Sequence, residues 1–324
     1  MTINPINTLP NSGVWGRRKT ETKAVVKSYS LSLIGIYSAA SLAVLLWGAS
    51  PVGTKLALAE VSPLGVMAIR TVAGGLAGLI FAISLGIRLP ATGRDKIQVA
   101  LAGCCGMVAF PTLFSFGMQA TSASHGAMIL ACMPITTSAI AYAYRSKVPP
   151  VLWWIGCGLA LAGEAVLIFQ QRDVIGNDAT VYGDVFVFCS TLFACAGYVI
   201  GANLHERGYP ARGITFWGAA ISASFLLPFT PWLIGPIDPK SWQISTWISL
   251  AYLAFGVTIL GYVCWYWALG RGGVSKISLM QFLQPVSGLT LSIAMLGDRI
   301  SPSMILAAFL VVSGTIASLR VPKA

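Results

Sequence analysis

The stretch "MQATSASHGAMILACMPITTSAIAYAYRSKVPPVLWWIGCGLALAGEAVLI", Met118 to Ile168, has a counterpart in "LGRGGVSKISLMQFLQPVSGLTLSIAMLGDRISPSMILAAFLVVSGTIASL", Leu269 to Leu319. Each opens on small polar residues and carries a proline inside its first apolar run (Pro134, Pro285). Each then turns through a short charged segment with a proline (Pro150, Pro302) and closes on an apolar run with a late glycine (Gly163, Gly314). The prolines stand 16 residues apart in the first copy and 17 in the second. The chain contains one unit twice, and the fold follows from what that unit is.

Its apolar runs are long enough to cross a membrane. About 20 such residues span a hydrocarbon core about 30 Å thick, and ten runs fit the 324 residues: 34–57, 63–85, 97–118, 122–144, 149–170, 182–203, 213–235, 243–269, 275–297 and 302–320. The two copies end on the fifth and the tenth, giving two repeats of five. Because five is odd, the second repeat enters the membrane from the opposite side. The expected fold is an all-α integral membrane protein, ten transmembrane helices as two inverted five-helix repeats. Such symmetry puts a substrate site near the midplane and lets related halves exchange inward and outward openings. The expected organisation is a polar basic tail (1–33), a first repeat (34–170), an external linker (171–181) and a second repeat (182–320).

Composition agrees with a membrane solvent. The chain is 56% hydrophobic and 10% charged, with a mean hydropathy of +0.77, whereas soluble domains carry about 25% charged residues. Sixteen Lys and Arg residues fall in the tail and in alternate connections, among them Arg17, Arg88, Arg145, Arg207 and Arg271. The other side has Arg172, Lys240 and Arg299, together with the acids Glu60, Asp173, Asp178, Asp184, Asp238 and Asp298. By the positive-inside rule both termini are expected in the cytoplasm. The net charge of +11 then serves topology and attraction to anionic lipid, and no nucleic-acid partner is expected. The tail lacks a short apolar core with a cleavage site, so it reads as a cytoplasmic segment rather than a secretory signal, with a transit peptide as the alternative. All seven cysteines lie inside spans and show neither disulfide nor metal spacing. No phosphate-binding loop or other cofactor motif is present.

With the repeats and spans in place, the chain resembles the drug/metabolite transporter superfamily, specifically its ten-span EamA type. The resemblance rests on "WGASPVGTKLAL" in the first span, "SPLGVMAIR" opening the second, "TSASHGAMILACMP" in the fourth and "LGDRISPSMILAAFLVVSGTIA" at the end. These occur in order and cover about residues 36 to 320. Two features depart from the pattern. The first-half turn "YRSKVPP" has no acid, and Glu164 stands where a small or apolar residue is usual. The resemblance implies that Trp47, Phe114, Met128 and Tyr198 sit on spans lining a central cavity.

Polar residues inside spans are costly and mark candidate sites. Lys55, within a turn of the external end of its span, either snorkels to the headgroups or faces substrate. Arg70 lies about 10 Å below the external end, at 1.5 Å per residue, too deep for snorkelling alone. Glu164 lies at a similar depth, so Arg70 either pairs with it or stands near substrate. Gly156, Ala160 and Glu164 form a small-residue stripe at i, i+4, i+8, suited to close helix packing; a desolvated Glu164 is also a candidate proton carrier. Gln281 and Gln284 need hydrogen-bond partners at membrane depth and suit a polar cavity. Tyr262 and Trp265, three residues apart, can form one aromatic wall, while Tyr266 and Trp267 are expected as interfacial anchors. His125 has no acidic neighbour in sequence and is expected to cap a helix or sit at the interface.

The expected function is secondary transport, not enzymatic catalysis: an exporter of small polar or amphipathic metabolites, such as amino acids or related carboxylates, by alternating access. The setting is a bacterial inner membrane, multi-pass. Expected partners are a small-molecule substrate, the bilayer and, through Glu164, protons, for a monomer or homodimer without cofactor or metal. The alternatives are an organic-phosphate or nucleotide-sugar exchanger and a passive channel.

Overall fold

The computed structural model describes residues 33–169, 180–235, 239–272, 277, 280, 281 and 283–319. The basic tail, Arg172, Asp173, Asp178, Asp238 and Lys276 lie outside the described residues. Among the described residues the main helices follow in order: α1 (Leu33–Ala57), α2 (Pro63–Ser84), α3 (Gly93–Gln119), α4 (Ala123–Tyr144), α5 (Val151–Phe169), α6 (Val181–Glu206), α7 (Ala211–Ile234), α8 (Ile244–Leu269), α9 (Leu283–Leu296) and α10 (Pro302–Leu319), with a short 3-10 turn at Pro239–Ser241 between α7 and α8. No strand occurs among the described residues. Seven helices, α1 to α4 and α6 to α8, are long and apolar enough to cross a membrane. Val151–Gly163, Leu283–Leu296 and Pro302–Gly314 are shorter apolar stretches.

Local chemistry sets the helix ends. Side-chain oxygens of Ser62, Thr92, Ser122 and Thr180 accept from the backbone N–H groups of Gly65, Asp95, His125 and Gly183, satisfying donors that a first turn leaves free. At the far ends, Gly86, Gly208 and Gly297 take left-handed φ values of 61°, 92° and 71°. The turn after α4 has no glycine, and Ser146 takes the left-handed value there, φ 51°.

The packing has the symmetry expected of two repeats. Helix α5 packs on α10, α2 on α7, α4 on α9, α3 on α6 and α8 on α1. Adding five to each index, counted cyclically, maps this set of pairs onto itself. Small residues permit the closest approaches. A Cβ on Gly103 would lie 2.4 Å from the Gly218 carbonyl, where α3 crosses α7. One on Gly48 would lie 2.5 Å from the Gln284 carbonyl, where α1 crosses α9. The Gly156 and Ala160 stripe meets α10: a Cβ on Gly314 would lie 2.4 Å from the Gly156 carbonyl and 2.6 Å from the Ala160 nitrogen.

Two irregularities also repeat. Helix α3 opens into a π-helical segment at Cys105–Ala109 and α8 at Tyr252–Gly261. A 3-10 turn, Leu130–Cys132, precedes the proline-bearing part of α4, and another at 280–281 precedes that of α9. Both kinds of break release backbone groups from the regular helical ladder.

Candidate functional site

Neighbouring side chains take up carbonyls of both π-helical segments. On α3, the Gly106 carbonyl accepts from the Tyr262 hydroxyl (3.3 Å) and the Met107 carbonyl from Thr71 Oγ1 (2.5 Å). On α8, the Val257 carbonyl accepts from Trp47 Nε1 (3.2 Å) and the Leu253 carbonyl from Thr258 Oγ1 (2.9 Å). The Tyr252 hydroxyl donates to the Leu46 carbonyl on α1. The donors thus come from α1, α2 and α8, and those of Trp47, Tyr252 and Tyr262 bind the two repeats together.

Four aromatic residues from both repeats form a box there. The Trp47 ring stacks on Tyr198 (centroids 5.8 Å, interplanar 16°) and meets Tyr262 edge-on (5.2 Å, 65°) and Trp265 at a tilt (5.3 Å, 59°). Tyr198 and Tyr262 are 6.0 Å apart. These spacings suit offset and edge-to-face ring pairs. Gly261 makes the room: a Cβ on it would lie 2.6 Å from Trp47 Nε1.

Arg70 enters this level from α2, beside Thr71. Its side chain is 3% exposed. Nη2 donates to Thr258 Oγ1 at 3.3 Å, and Nη1 is buried with no hydrogen-bond partner among the described residues. The electrostatic neighbours of the guanidinium include the Tyr262 and Tyr252 phenols. A buried guanidinium held by one neutral hydroxyl keeps a strong donor edge for a carboxylate.

The proposed pairing with Glu164 involves a side chain outside the described residues. Its helix α5 packs chiefly on α10, while α2 packs on α7, α3 and α8. Lys55 Nζ donates to the Met118 and Thr121 carbonyls (3.2 and 2.8 Å), closing the end of α3. Phe114 is fully buried and stacks on Phe110 (5.3 Å), and Met128 is buried within α4. No ring contact or hydrogen bond described ties these two to the aromatic box. Gln281 and Gln284 are 4% and 2% exposed. Gln281 Nε2 and Gln284 Oε1 lack hydrogen-bond partners among the described residues, as expected of groups that face a polar ligand or water. Of the two expected anchors, Trp267 is partly exposed and carries Arg271 over its ring at 4.7 Å. Tyr266 is instead 5% exposed, its ring packed where Gly201 leaves space.

Sequence reasoning missed one constellation. His125 Nδ1 lies 2.9 Å from Asp184 Oδ2, with side chains 4% and 0% exposed. Thr121 Oγ1 donates to Asp184 Oδ1. Asp184 counts as a loop acid in the charge balance, but it sits in the first turn of α6, fully buried. The only hint in sequence was its place three residues into an apolar run.

Comparison with known proteins gives the same picture. A solved crystal structure of a protein matches the fold with a TM-score of 0.59 at 16% identity, covering 87% of this chain and 95% of that one. A Bacillus subtilis (strain 168) protein named "Uncharacterized transporter YdeK" is 26% identical over 86% of this chain and 95% of its own length. An Escherichia coli (strain K12) "Probable amino-acid metabolite efflux pump" is 24% identical, over 85% and 91%. A Streptantibioticus cattleyicolor "Probable terminal-alkyne amino-acid exporter" is 22% identical, over 84% and 89%. The model of the EamA-like transporter family matches residues 34–169 and 181–320, and the chain belongs to that family of multi-pass membrane transporters.

Proposed function

We propose that this chain exports small metabolites bearing a carboxylate, amino acids foremost, by alternating access at the level of the aromatic box. The single observation that carries this reading is the buried Arg70 guanidinium, with an unpartnered Nη1, in a site built by both repeats. A substrate carboxylate completes its hydrogen bonding, and Trp47, Tyr198, Tyr262 and Trp265 supply an apolar and aromatic wall for the remainder. Gln281 and Gln284 provide further polar contacts. The names of the Escherichia coli and Streptantibioticus cattleyicolor relatives support the same class. The reading includes ten spans in two inverted repeats, cytoplasmic termini and a bacterial inner membrane.

An organic phosphate fits less well. A dianion calls for more than one cation, and Lys55 is held by the Met118 and Thr121 carbonyls.

The test is untargeted metabolite profiling of cells and medium with the wild type and Arg70→Gln overexpressed at equal levels. Amino acids or related carboxylates should accumulate outside with the wild type and fall by about a hundredfold in transport rate with Arg70→Gln. That corresponds to about 3 kcal/mol for leaving one partner of a buried charged pair unpaired. Enrichment of a class without a carboxylate, or a variant equal to wild type, overturns the reading. Counterflow of the enriched compound in proteoliposomes separates a carrier, which shows trans-stimulation, from a pore.

A further inference from the structure

Arg70 and Thr71 are neighbours on α2, and each is tied to a different π-helical segment. Thr71 Oγ1 donates to the Met107 carbonyl of the α3 segment at 2.5 Å. The Arg70 head meets the α8 segment of the other repeat, where Nη2 donates to Thr258 Oγ1 at 3.3 Å. Gly74, one turn further along α2, lets the two helices close on each other. A Cβ there would lie 3.0 Å from the Ala254 carbonyl and 3.2 Å from Thr258 Cγ2. Arg70, Thr71 and Thr258 are all buried.

The hydrogen bonds at Thr258 run in one direction. Its Oγ1 donates to the Leu253 carbonyl at 2.9 Å, five residues back in the chain, which is the spacing of a π-helical turn. A threonine hydroxyl has one proton and two lone pairs, so with the proton on Leu253 it faces Arg70 as an acceptor. A guanidinium is a rigid planar fork. Holding Nη2 against α8, while Thr71 fixes α2 against α3, therefore sets the direction of Nη1, the nitrogen without a partner among the described residues. The anchor is neutral. A carboxylate in its place would bind the guanidinium more strongly and compete with an anionic substrate, whereas a hydroxyl orients the cation and leaves its charge for the substrate.

We propose that Thr258 is a positioning residue for substrate recognition: bonded to Leu253 and to Arg70, it aims the Nη1 edge of the guanidinium at the substrate carboxylate. Its influence on substrate rests on the exporter reading; the tether between Thr258 and Arg70 does not.

The tether is tested without substrate. Protein carrying nitrogen-15 arginine in nanodiscs gives side-chain signals, and Arg70→Lys identifies those of Arg70. Thr258→Val keeps the branched shape and removes the hydroxyl. Rotation about the Arg70 Cζ–Nη2 bond should then speed up by about tenfold, the change expected for loss of one hydrogen bond to a charged group, and Thr258→Ser should restore slow rotation. Should Thr258→Val fail to fold, Thr258→Cys, which retains only a weak hydrogen-bonding group, is read in the same way. Arg70 signals unchanged by loss of the hydroxyl overturn the tether.

The aim is tested by counterflow in proteoliposomes with each of the twenty standard amino acids, with kinetics taken on the one carried fastest. Thr258→Val should raise its KM about tenfold and keep the maximal rate within about twofold, because the misaimed guanidinium is still there to bind. Thr258→Ser should recover most of the loss. Combined with Arg70→Gln, Thr258→Val should add nothing further, since both act on one contact. An unchanged KM, a loss that serine does not recover, or a full further loss beside Arg70→Gln overturns the positioning role. If the wild type carries none of the twenty, the exporter reading fails and the substrate role falls with it, while the arginine signals still decide the tether.

Discussion

The two ends of the bundle are both tied across the repeats, but by different chemistry. At the acid-rich end the links use carboxylates on helix starts and are buried or partly buried, save the exposed bond from the Gln243 nitrogen to Glu60. Glu60 accepts from the Gln243 nitrogen (2.8 Å) and Thr246 Oγ1 (2.6 Å) at α8, Asp298 from the Ser124 nitrogen (2.9 Å) at α4, and Asp184 holds Thr121 and His125. At the basic end the links are ion pairs, one exposed and one half-buried. Arg145 meets Glu206 at 2.8 Å with side chains 57% and 54% exposed, and Arg207 meets Asp95 at 2.6 Å with 36% and 23% exposed. Tyr209 also lies there, its hydroxyl donating to the Arg88 carbonyl at 3.0 Å, and burial pushes that phenol up to about 12, so it remains a donor at neutral pH.

The difference lies in the strength of each tie. Exposed ion pairs contribute about 0 to 1 kcal/mol and weaken with salt. Hydrogen bonds to charged groups contribute about 1.5 to 3 kcal/mol, and carboxylates at helix starts also gain from the macrodipole. Pulling the helices apart at the acid-rich end is therefore expected to cost more than at the basic end.

Five substitutions break or sharpen that contrast, each read by reversible unfolding in mixed micelles. Asp184→Ala removes the acceptor of the Thr121 hydroxyl and the 2.9 Å contact to His125 and should destabilise by about 3 kcal/mol. Glu60→Ala frees a backbone nitrogen and a hydroxyl at the start of α8 and should cost about 1.5 kcal/mol, whereas Glu60→Gln, which keeps an acceptor, should recover about half of it. Ser146→Gly should instead stabilise by about 0.7 kcal/mol, because glycine adopts the left-handed turn without a Cβ penalty. Arg145→Ala should change stability by less than about 0.5 kcal/mol. An Arg145→Ala loss as large as that of Asp184→Ala would abolish the distinction between the ends.

Much of the fold was legible because repeats, apolar lengths and cap residues are local signals. The Pro134 and Pro285 correspondence revealed the repeat, and Ser62 before Pro63 or Ser122 before Ala123 announced helix starts. The candidate aromatic wall was legible in part, since Tyr262 and Trp265 share a helix face. What escaped was set by pairings remote in the chain. His125 and Asp184 are 59 residues apart, Arg70 and Thr258 are 188 apart, and no periodicity encodes such meetings. Lys55 escaped for another reason: depth alone offered headgroup or substrate, and the exposed carbonyls at the end of α3 appear only once the helices are packed. The π-helical segments had no signal at all, because "CGMVA" and "YLAFGVTILG" are apolar runs like their surroundings.

Those segments make the aromatic box depend on arithmetic. A π-turn is an α-helical stretch holding one residue more than its length needs, and each residue of an α-helix contributes about 100° of rotation. Deleting a single residue from Tyr252–Gly261 would turn Tyr262 and Trp265 by about 100° away from Trp47. The apolar length would still cross the bilayer, and the composition would hardly change. In this chain a frame of one residue, carried inside an otherwise ordinary span, decides which wall of the helix faces Trp47.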